Sequence, residues 1–210
     1  MSLKKNTNCY QLISQAIFEA NHPKTPDERL FQPTSVIALF TKIKEEITLI
    51  LIQKADIEGY PWRNQMAFPG GNCDPEDISR EATALRELKE EMGILPEDVK
   101  VIGSIGHFQT IKNKDIEAFV GMLDNQGYDS FDPSKIIFDT AEISRVFAIP
   151  LRHLIDVHKK RNFTGRFPAL DELIYSYEDV VIWGVTAKII HHLIETLIPK
   201  IEQSCTILNP

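Results

Sequence analysis

Arg86-Glu87-Leu88-Lys89-Glu90-Glu91-Met92-Gly93-Ile94 sets three carboxylates within five residues and closes them with a glycine. On a wheel of about 100° per residue, Ile78, Ala82, Leu85, Leu88 and Met92 fall on one stripe, and Glu87, Glu90 and Glu91 project from the other side. The spacing predicts a helix from about Ile78 to Met92, with Asp74 or Asp77 as its N-cap. Gly93 stands at the position that ends helices in a left-handed conformation. Glu87 and Glu91 are i,i+4 neighbours, roughly 5–6 Å apart at Cβ, so their like charges cost about a few tenths of a kcal/mol unless compensated. Neutralisation by Arg80, Arg86 and Lys89 on a solvated face is the ordinary fate of a bare E-x-x-E-E run. A divalent cation is the other compensator, and Mg²⁺ in particular bridges carboxylates to substrate phosphates.

Outward from the helix, Met66-Ala67-Phe68 reads as a short strand, and Pro69-Gly70-Gly71 turns the chain into the helix entry. Residues 35–43 (SVIALFTKI) and 48–54 (TLILIQK) are apolar and β-branched, joined by the charged turn Lys44-Glu45-Glu46, and read as a hairpin. Further strands are expected at 99–106, 116–123 and 144–151. Helical spacing of Leu12, Ile13, Ala16 and Ile17 predicts an N-terminal helix over about 8–22, and VTAKIIHHLIETLI (185–198) a closing amphipathic helix. Because helices do not alternate with strands, the pattern favours an α+β sandwich over a doubly wound sheet. Neither an internal repeat nor a composition break divides the chain, so residues 1–210 are expected to form one domain.

Composition narrows the function classes. A net charge of -7 opposes the basic stripe that nucleic acid requires, and an anionic substrate would have to be received locally by a metal ion or a few cations. No stretch approaches the roughly 20 apolar residues of a membrane span, and the start lacks the apolar run of a secretory signal, so a cytoplasmic protein is expected. Cys9, Cys73 and Cys205 are three in number and far apart, which suits structural thiols better than a disulfide framework or a zinc site.

Residues 86–94 fit R-E-U-x-E-E-x-G-U at every fixed position, U being aliphatic, and so resemble the catalytic half of the Nudix box, G-x5-E-x7-R-E-U-x-E-E-x-G-U. The box would span about 70–94. Its front half departs: eight residues before Arg86 stands Ile78, while Gly71 pairs with Asp77 at the x5 spacing, which lengthens the loop by one residue and puts Asp77 near the missing glutamate. MAFPGGNCDPEDISREATALREL and the segment Ile182-Trp183-Gly184-Val185-Thr186-Ala187 look like the coenzyme A pyrophosphatase-type branch. That branch's R-S…L-R-x-H-x-G-Q signature is replaced by Lys54-Ala55 and by Tyr60-Pro61-Trp62-Arg63-Asn64-Gln65, in which only the final glutamine is kept.

The resemblance implies an α/β/α sandwich with a mixed sheet and extra helices at both ends, loaded with Mg²⁺ or Mn²⁺. Glu87 and Glu91 would be the principal ligands, Glu90 a further ligand or orienter, and the Gly71 carbonyl an additional oxygen. Arg86 would hold a glutamate by a charge-assisted hydrogen bond. The proton acceptor is either Glu142, before a strand and facing the box, or Glu117, opening another strand. Arg63 and His107 are the candidate phosphate contacts, with Lys112, Lys114, Arg161 and Arg166 as loop cations. Trp183 is expected to pack beneath the last helix, and the adjacent His191 and His192 cannot share a helical face. The expected substrate is a small nucleoside diphosphate derivative, with coenzyme A-like compounds first and ADP-ribose, dinucleotides or nucleotide sugars behind. A catalytically silent ligand sensor on the same fold is the alternative, and the terminal helices leave room for a homodimer.

Overall fold

In the computed structural model, residues 9–26, 30–43, 46–59, 62–123 and 136–204 are described. Lys44, Glu45, Tyr60, Pro61 and Cys205, singled out above, lie outside them. The hairpin read from the two apolar runs forms β1 (Gln32–Ile43) and β2 (Glu46–Lys54), paired antiparallel with Leu39 opposite Ile50. To this pair the sheet adds β3 (Met66–Ala67), β4 (Gly70–Asn72), β5 (Val99–Gln109), β6 (Lys114–Leu123) and β7 (Ile143–Pro150). Its order is β3-β2-β1-β6-β5, with β4 on β1 and β7 on β2. β1 and β6 run parallel, with Ala38 opposite Val120, and the remaining pairs are antiparallel, so the sheet is mixed.

Why β1 and β2 read as unbroken apolar runs follows from burial on both faces. Successive side chains alternate across a strand. Ile37, Leu39, Ile50 and Ile52 meet Ala84, Leu88 and Met92 of helix α2 (Arg80–Met92) on one side. Val36, Ala38, Phe40, Leu49 and Leu51 face the other side, where α1 (Cys9–Glu19), α3 (Leu151–Lys160) and α4 (Gly184–Ser204) bring Ile13, Leu154, Ile190 and Leu193. Each such aliphatic side chain contributes about 1.5–3 kcal/mol by leaving water. The result is an α+β, helix-sheet-helix sandwich, as the pattern implied. Among the described residues no helix is long and apolar enough to cross a membrane.

Two local expectations change. The cap of α2 is Ser79, whose Oγ accepts from Ala82 N at 3.0 Å, and neither Asp74 nor Asp77 takes that place. The helix therefore starts at Arg80, and Ile78 lies before it, 96% exposed, outside the apolar stripe. Gly93 does close the helix in the left-handed conformation, φ 65°, its N–H reaching Lys89 O at 2.9 Å. α3 and the small hairpin β8 (Tyr175–Tyr177) with β9 (Val180–Ile182) were absent from the expected elements. The strand predicted to reach Leu151 stops at Pro150, and Leu151, Leu154, Ile155 and His158 carry the i, i+3, i+4, i+7 stripe of α3 into the core.

Candidate active site

β4 lies antiparallel to β1, with Ser35 opposite Gly71, and α2 crosses directly above it. The approach is close because glycine stands at both positions. A Cβ on Gly70, whose φ is +143°, would meet the Ser35 carbonyl and the Val36 backbone, and one on Gly71 would fall on the Glu87 carboxylate. Pro69-Gly70-Gly71 is thus both the turn into the helix entry and the floor on which Glu87 rests.

Glu91 sits one turn further along and is buried, with 2% exposure. Its Oε2 accepts from the Gly70 N–H at 2.9 Å, and its Oε1 pairs with the Lys54 ammonium at 2.5 Å. Lys54 ends β2, where the sheet register brings it opposite Ile143, so Glu142 arrives beside it with Oε2 3.6 Å from the ammonium. The Glu142 carbonyl also accepts from Ala55 N at 2.8 Å, fixing the backbone of that corner. Burial pushes the Glu91 carboxyl above its ordinary value, and Lys54 and the Gly70 N–H pull against it. Glu87 is pushed the same way by burial, opposed by the charge of Arg86. Both carboxylates therefore carry an electrostatic cost that a bound cation removes.

Arg86 organises the helix entry. Its Nε and Nη2 grip Asp77 at 3.0 and 3.1 Å, its Nη1 donates to Glu90 at 2.8 Å and lies 3.1 Å from Glu87, and its Nη2 also reaches the Asn72 carbonyl at 3.2 Å. Asp77 further accepts from the Asp74 N–H and from Thr83 Oγ1, at 2.9 and 2.7 Å. The guanidinium holds the Asp77 carboxyl well below the usual carboxylate range. Asp77 thus ties the loop before α2 to Arg86. Glu90, by contrast, is 59% exposed and is engaged by Arg86.

Glu87 lines a cleft of ≈ 480 Å³ together with Lys54, Gly71, Lys114 and Glu142 among others. Lys114 Nζ donates to Asn72 Oδ1 at 2.9 Å, and burial, reinforced by the like charge of Lys54, pushes its ammonium below its ordinary value. Lys54 was not among the site residues expected from the sequence; its signals there were a lone cation closing an apolar strand and its place at the arginine of the R-S signature. Oxygen donors beside a glycine floor suit a hard divalent cation that keeps waters and takes further ligands from phosphate. Among the described residues no three His, Cys, Asp or Glu side chains form a ready-made cage. Glu87 and Glu91, held by Arg86 and Lys54, fit a cation completed by substrate.

The other expected site residues lie elsewhere. Glu117 stands on β6 in a separate network, 3.8 Å from Arg80 and 3.7 Å from His107. His107 is tied by Nδ1 to Asp115 at 2.8 Å and by Nε2 to Thr25 at 3.0 Å. Arg63 pairs with Asp56 at 3.0 Å on the surface, and neither it nor His107 lines the cleft. Arg166 reaches the Asn162 carbonyl and Glu172, and Arg161 caps α3. Trp183 does not pack beneath α4: it is 53% exposed and borders a second cavity, because it stands just before the helix begins. His191 and His192 do diverge, one toward His158 and the other toward His22.

Comparison with known proteins points the same way. The family model described as NUDIX domain matches residues 31–173. Proteins named "Uncharacterized Nudix hydrolase NudL" from Yersinia pestis (strain Pestoides F) and Yersinia pseudotuberculosis serotype O:1b are each 32% identical over 154 residues, covering 71% of this chain and 72% of theirs. The crystal structure of a MutT/nudix family protein from Enterococcus faecalis aligns with 98% of this chain and 75% of its own, at a TM-score of 0.51 and 17% identity, which speaks to the fold alone.

Proposed function

The chain belongs to the Nudix hydrolase family, and from that premise we propose that it cleaves the phosphoanhydride bond of a nucleoside diphosphate linked to another moiety, with Mg²⁺ or Mn²⁺ held by Glu87 and Glu91. The observation that carries this reading is the half-buried Glu87 carboxylate, over a glycine floor and one turn from the buried Glu91, lining a cleft that also holds Lys54, Lys114 and Glu142. When bound, such a cation offsets the charge of the diphosphate and eases deprotonation of the attacking water. Lys54 and Lys114 add positive charge toward the phosphates. Arg86 is a positioning residue that locks Glu90 and the helix entry through Asp77. Glu142, at the cleft and 53% exposed, is the proton acceptor in preference to Glu117, whose carboxylate faces Arg80 and His107. The Gly71 carbonyl is a further oxygen for the cation. Coenzyme A and its derivatives are the first substrates, with ADP-ribose, dinucleotides and nucleotide sugars behind.

The test is a panel of these compounds incubated with the protein and Mg²⁺ or Mn²⁺, the products being separated by chromatography. At least one diphosphate is expected to be split between its phosphorus atoms, only with metal; no turnover on any of them would overturn the reading. Glu91→Gln is expected to slow that reaction roughly 10²- to 10³-fold, the scale of one charge-stabilising group. It also takes from the 12%-exposed Lys54 ammonium its nearer ionic partner, leaving Glu142 at 3.6 Å, at a cost of about 2 kcal/mol in unfolding free energy. Wild-type rates in that variant would remove Glu91 from the site.

A further inference from the structure

Glu91 already faces a cation of the chain's own. The Lys54 ammonium stands 2.5 Å from its Oε1, the Gly70 N–H holds its Oε2 at 2.9 Å, and the residue is 2% exposed. A divalent cation drawn to the same carboxylate meets the like charge of that ammonium at close range. One of the two donors must therefore yield. Gly70 cannot, because it belongs to β4 and is paired with Val36 of β1. Lys54 can, because its charge rides on a flexible four-carbon stem with donors that rotate freely. Its backbone is fixed: the N–H reaches the Gln65 carbonyl at 2.9 Å, and the Lys54 carbonyl accepts from Asn64 N at 3.2 Å. Any movement belongs to the side chain.

The same corner supplies a destination. Glu142 Oε2 lies 3.6 Å from the ammonium, just beyond hydrogen-bond distance, on a carboxylate that is 53% exposed. The Ala55 N–H donates to the Glu142 carbonyl at 2.8 Å, so the two backbones keep their spacing whatever the side chains do. A swing into the cleft would instead approach Lys114, whose ammonium feels the like charge of Lys54.

We propose that Lys54 is an exchangeable counterion, which holds the Glu91 carboxylate until the divalent cation binds there and then passes to Glu142. The inference rests on the reading of Glu87 and Glu91 as the cation's ligands and deepens it. The buried Glu91 charge is then never left uncompensated, which would be costly at that depth. Glu142, the proton acceptor, gains a hydrogen-bonded ammonium and a fixed orientation only on metal loading. In this role Lys54 is a positioning residue, acting through two carboxylates.

Calorimetric titration of the full chain with Mn²⁺ tests the exchange without turnover. Lys54→Met, which keeps the stem and removes the charge, is expected to bind Mn²⁺ at least about tenfold more tightly than the wild type, since a like charge beside the cation is gone. Glu142→Gln removes the destination, and is expected to weaken Mn²⁺ binding markedly more in the wild-type background than in the Lys54→Met background. Melting temperatures separate exchange from a fixed structural bond. In EDTA, Lys54→Met is expected to melt lower than the wild type, and saturating Mn²⁺ is expected to close that gap. In crystals of the wild type grown with Mn²⁺, which depend on no variant folding, Nζ is expected about 3 Å from a Glu142 oxygen and more than about 4 Å from Glu91. Unchanged or weaker Mn²⁺ binding by Lys54→Met, additive effects of the two substitutions, a gap that persists with Mn²⁺, or an ammonium still on Glu91 in those crystals overturns the exchange. Failure of both the wild type and Lys54→Met to bind Mn²⁺ overturns the ligand reading, and the exchange falls with it.

Discussion

Asp77 shows how one residue carries both fold and site. Its carboxylate accepts from Arg86, Thr83 and the Asp74 N–H, and so ties the loop before α2 to the helix that bears Glu87, Glu90 and Glu91. Asp77→Asn keeps the shape and removes the charge, and is expected to lower the unfolding free energy at neutral pH by roughly 2 kcal/mol, the value of hydrogen bonds to a charged group. The folded-state carboxyl is held below its ordinary value of 3.8, so the unfolded chain takes up the proton first. The contribution is fully present above that ordinary value and is lost as pH falls through the lowered one. Unfolding curves of the two proteins from pH 7 downward should therefore stay apart into acid and converge only below the usual carboxylate range; curves that converge already at pH 5 would contradict this. From the sequence, Asp77 was legible as a stand-in for the missing glutamate because spacing alone placed it. Lys54 was not legible, since only the register of β2 against β7 brings its ammonium between Glu91 and Glu142.

At the scale of elements, the joint between β4 and α2 sets the site's geometry. Gly70 and Gly71 are neighbours with different tasks, and alanine should separate them. At Gly71 the added methyl meets only the end of the Glu87 side chain, which can swing aside, so Gly71→Ala is expected to keep its melting temperature within a few degrees yet lose at least tenfold in metal-dependent rate. At Gly70 the methyl meets the β1 backbone and the backbone conformation itself is unfavourable, so Gly70→Ala is expected to lose about 2 kcal/mol or more of stability. Thermal melts alongside activity measurements check both; a Gly71→Ala protein with full activity would contradict the placement of Glu87. The helix end at Gly93 and the strands were readable from periodicity and glycine. The helix start was not, because Asp74, Asp77 and Ser79 are all capping residues, and only the bond from Ala82 N to Ser79 distinguishes them. α3 was hidden behind Pro150, which ends the strand and begins the helix in a single residue.

Across the whole molecule, the helical layer opposite α2 is fastened by histidines. His158 joins Tyr175 and Glu195, each at 2.8 Å, and His192 meets His22 at 2.9 Å, linking the N-terminal segment to α4. His191 Nε2 is buried with no hydrogen-bond partner among the described residues. Burial lowers all three of His158, His191 and His192 from the ordinary 6.5, His192 to about 4, and Glu195 opposes the shift in each. The unfolded chain therefore binds more protons below pH 6.5, and stability is expected to fall as pH drops from there toward about 4. Urea midpoints across that range check it; a flat profile would show that the histidines are not held neutral. None of this was visible in the sequence beyond the divergence of His191 and His192, since the partners lie 17 to 170 positions away. The sandwich itself was legible, because an apolar run on both faces of β1 requires a helical layer on each side. What that sandwich achieves is to bring β2, β4 and α2 together around two carboxylates, and calorimetric titration with Mn²⁺ tests this most directly. The wild-type protein is expected to bind Mn²⁺, and Glu87→Gln, whose side chain bears no buried ion pair with Lys54, to bind it at least tenfold more weakly with an unchanged melting temperature. Equal Mn²⁺ affinity in the two proteins would contradict the account.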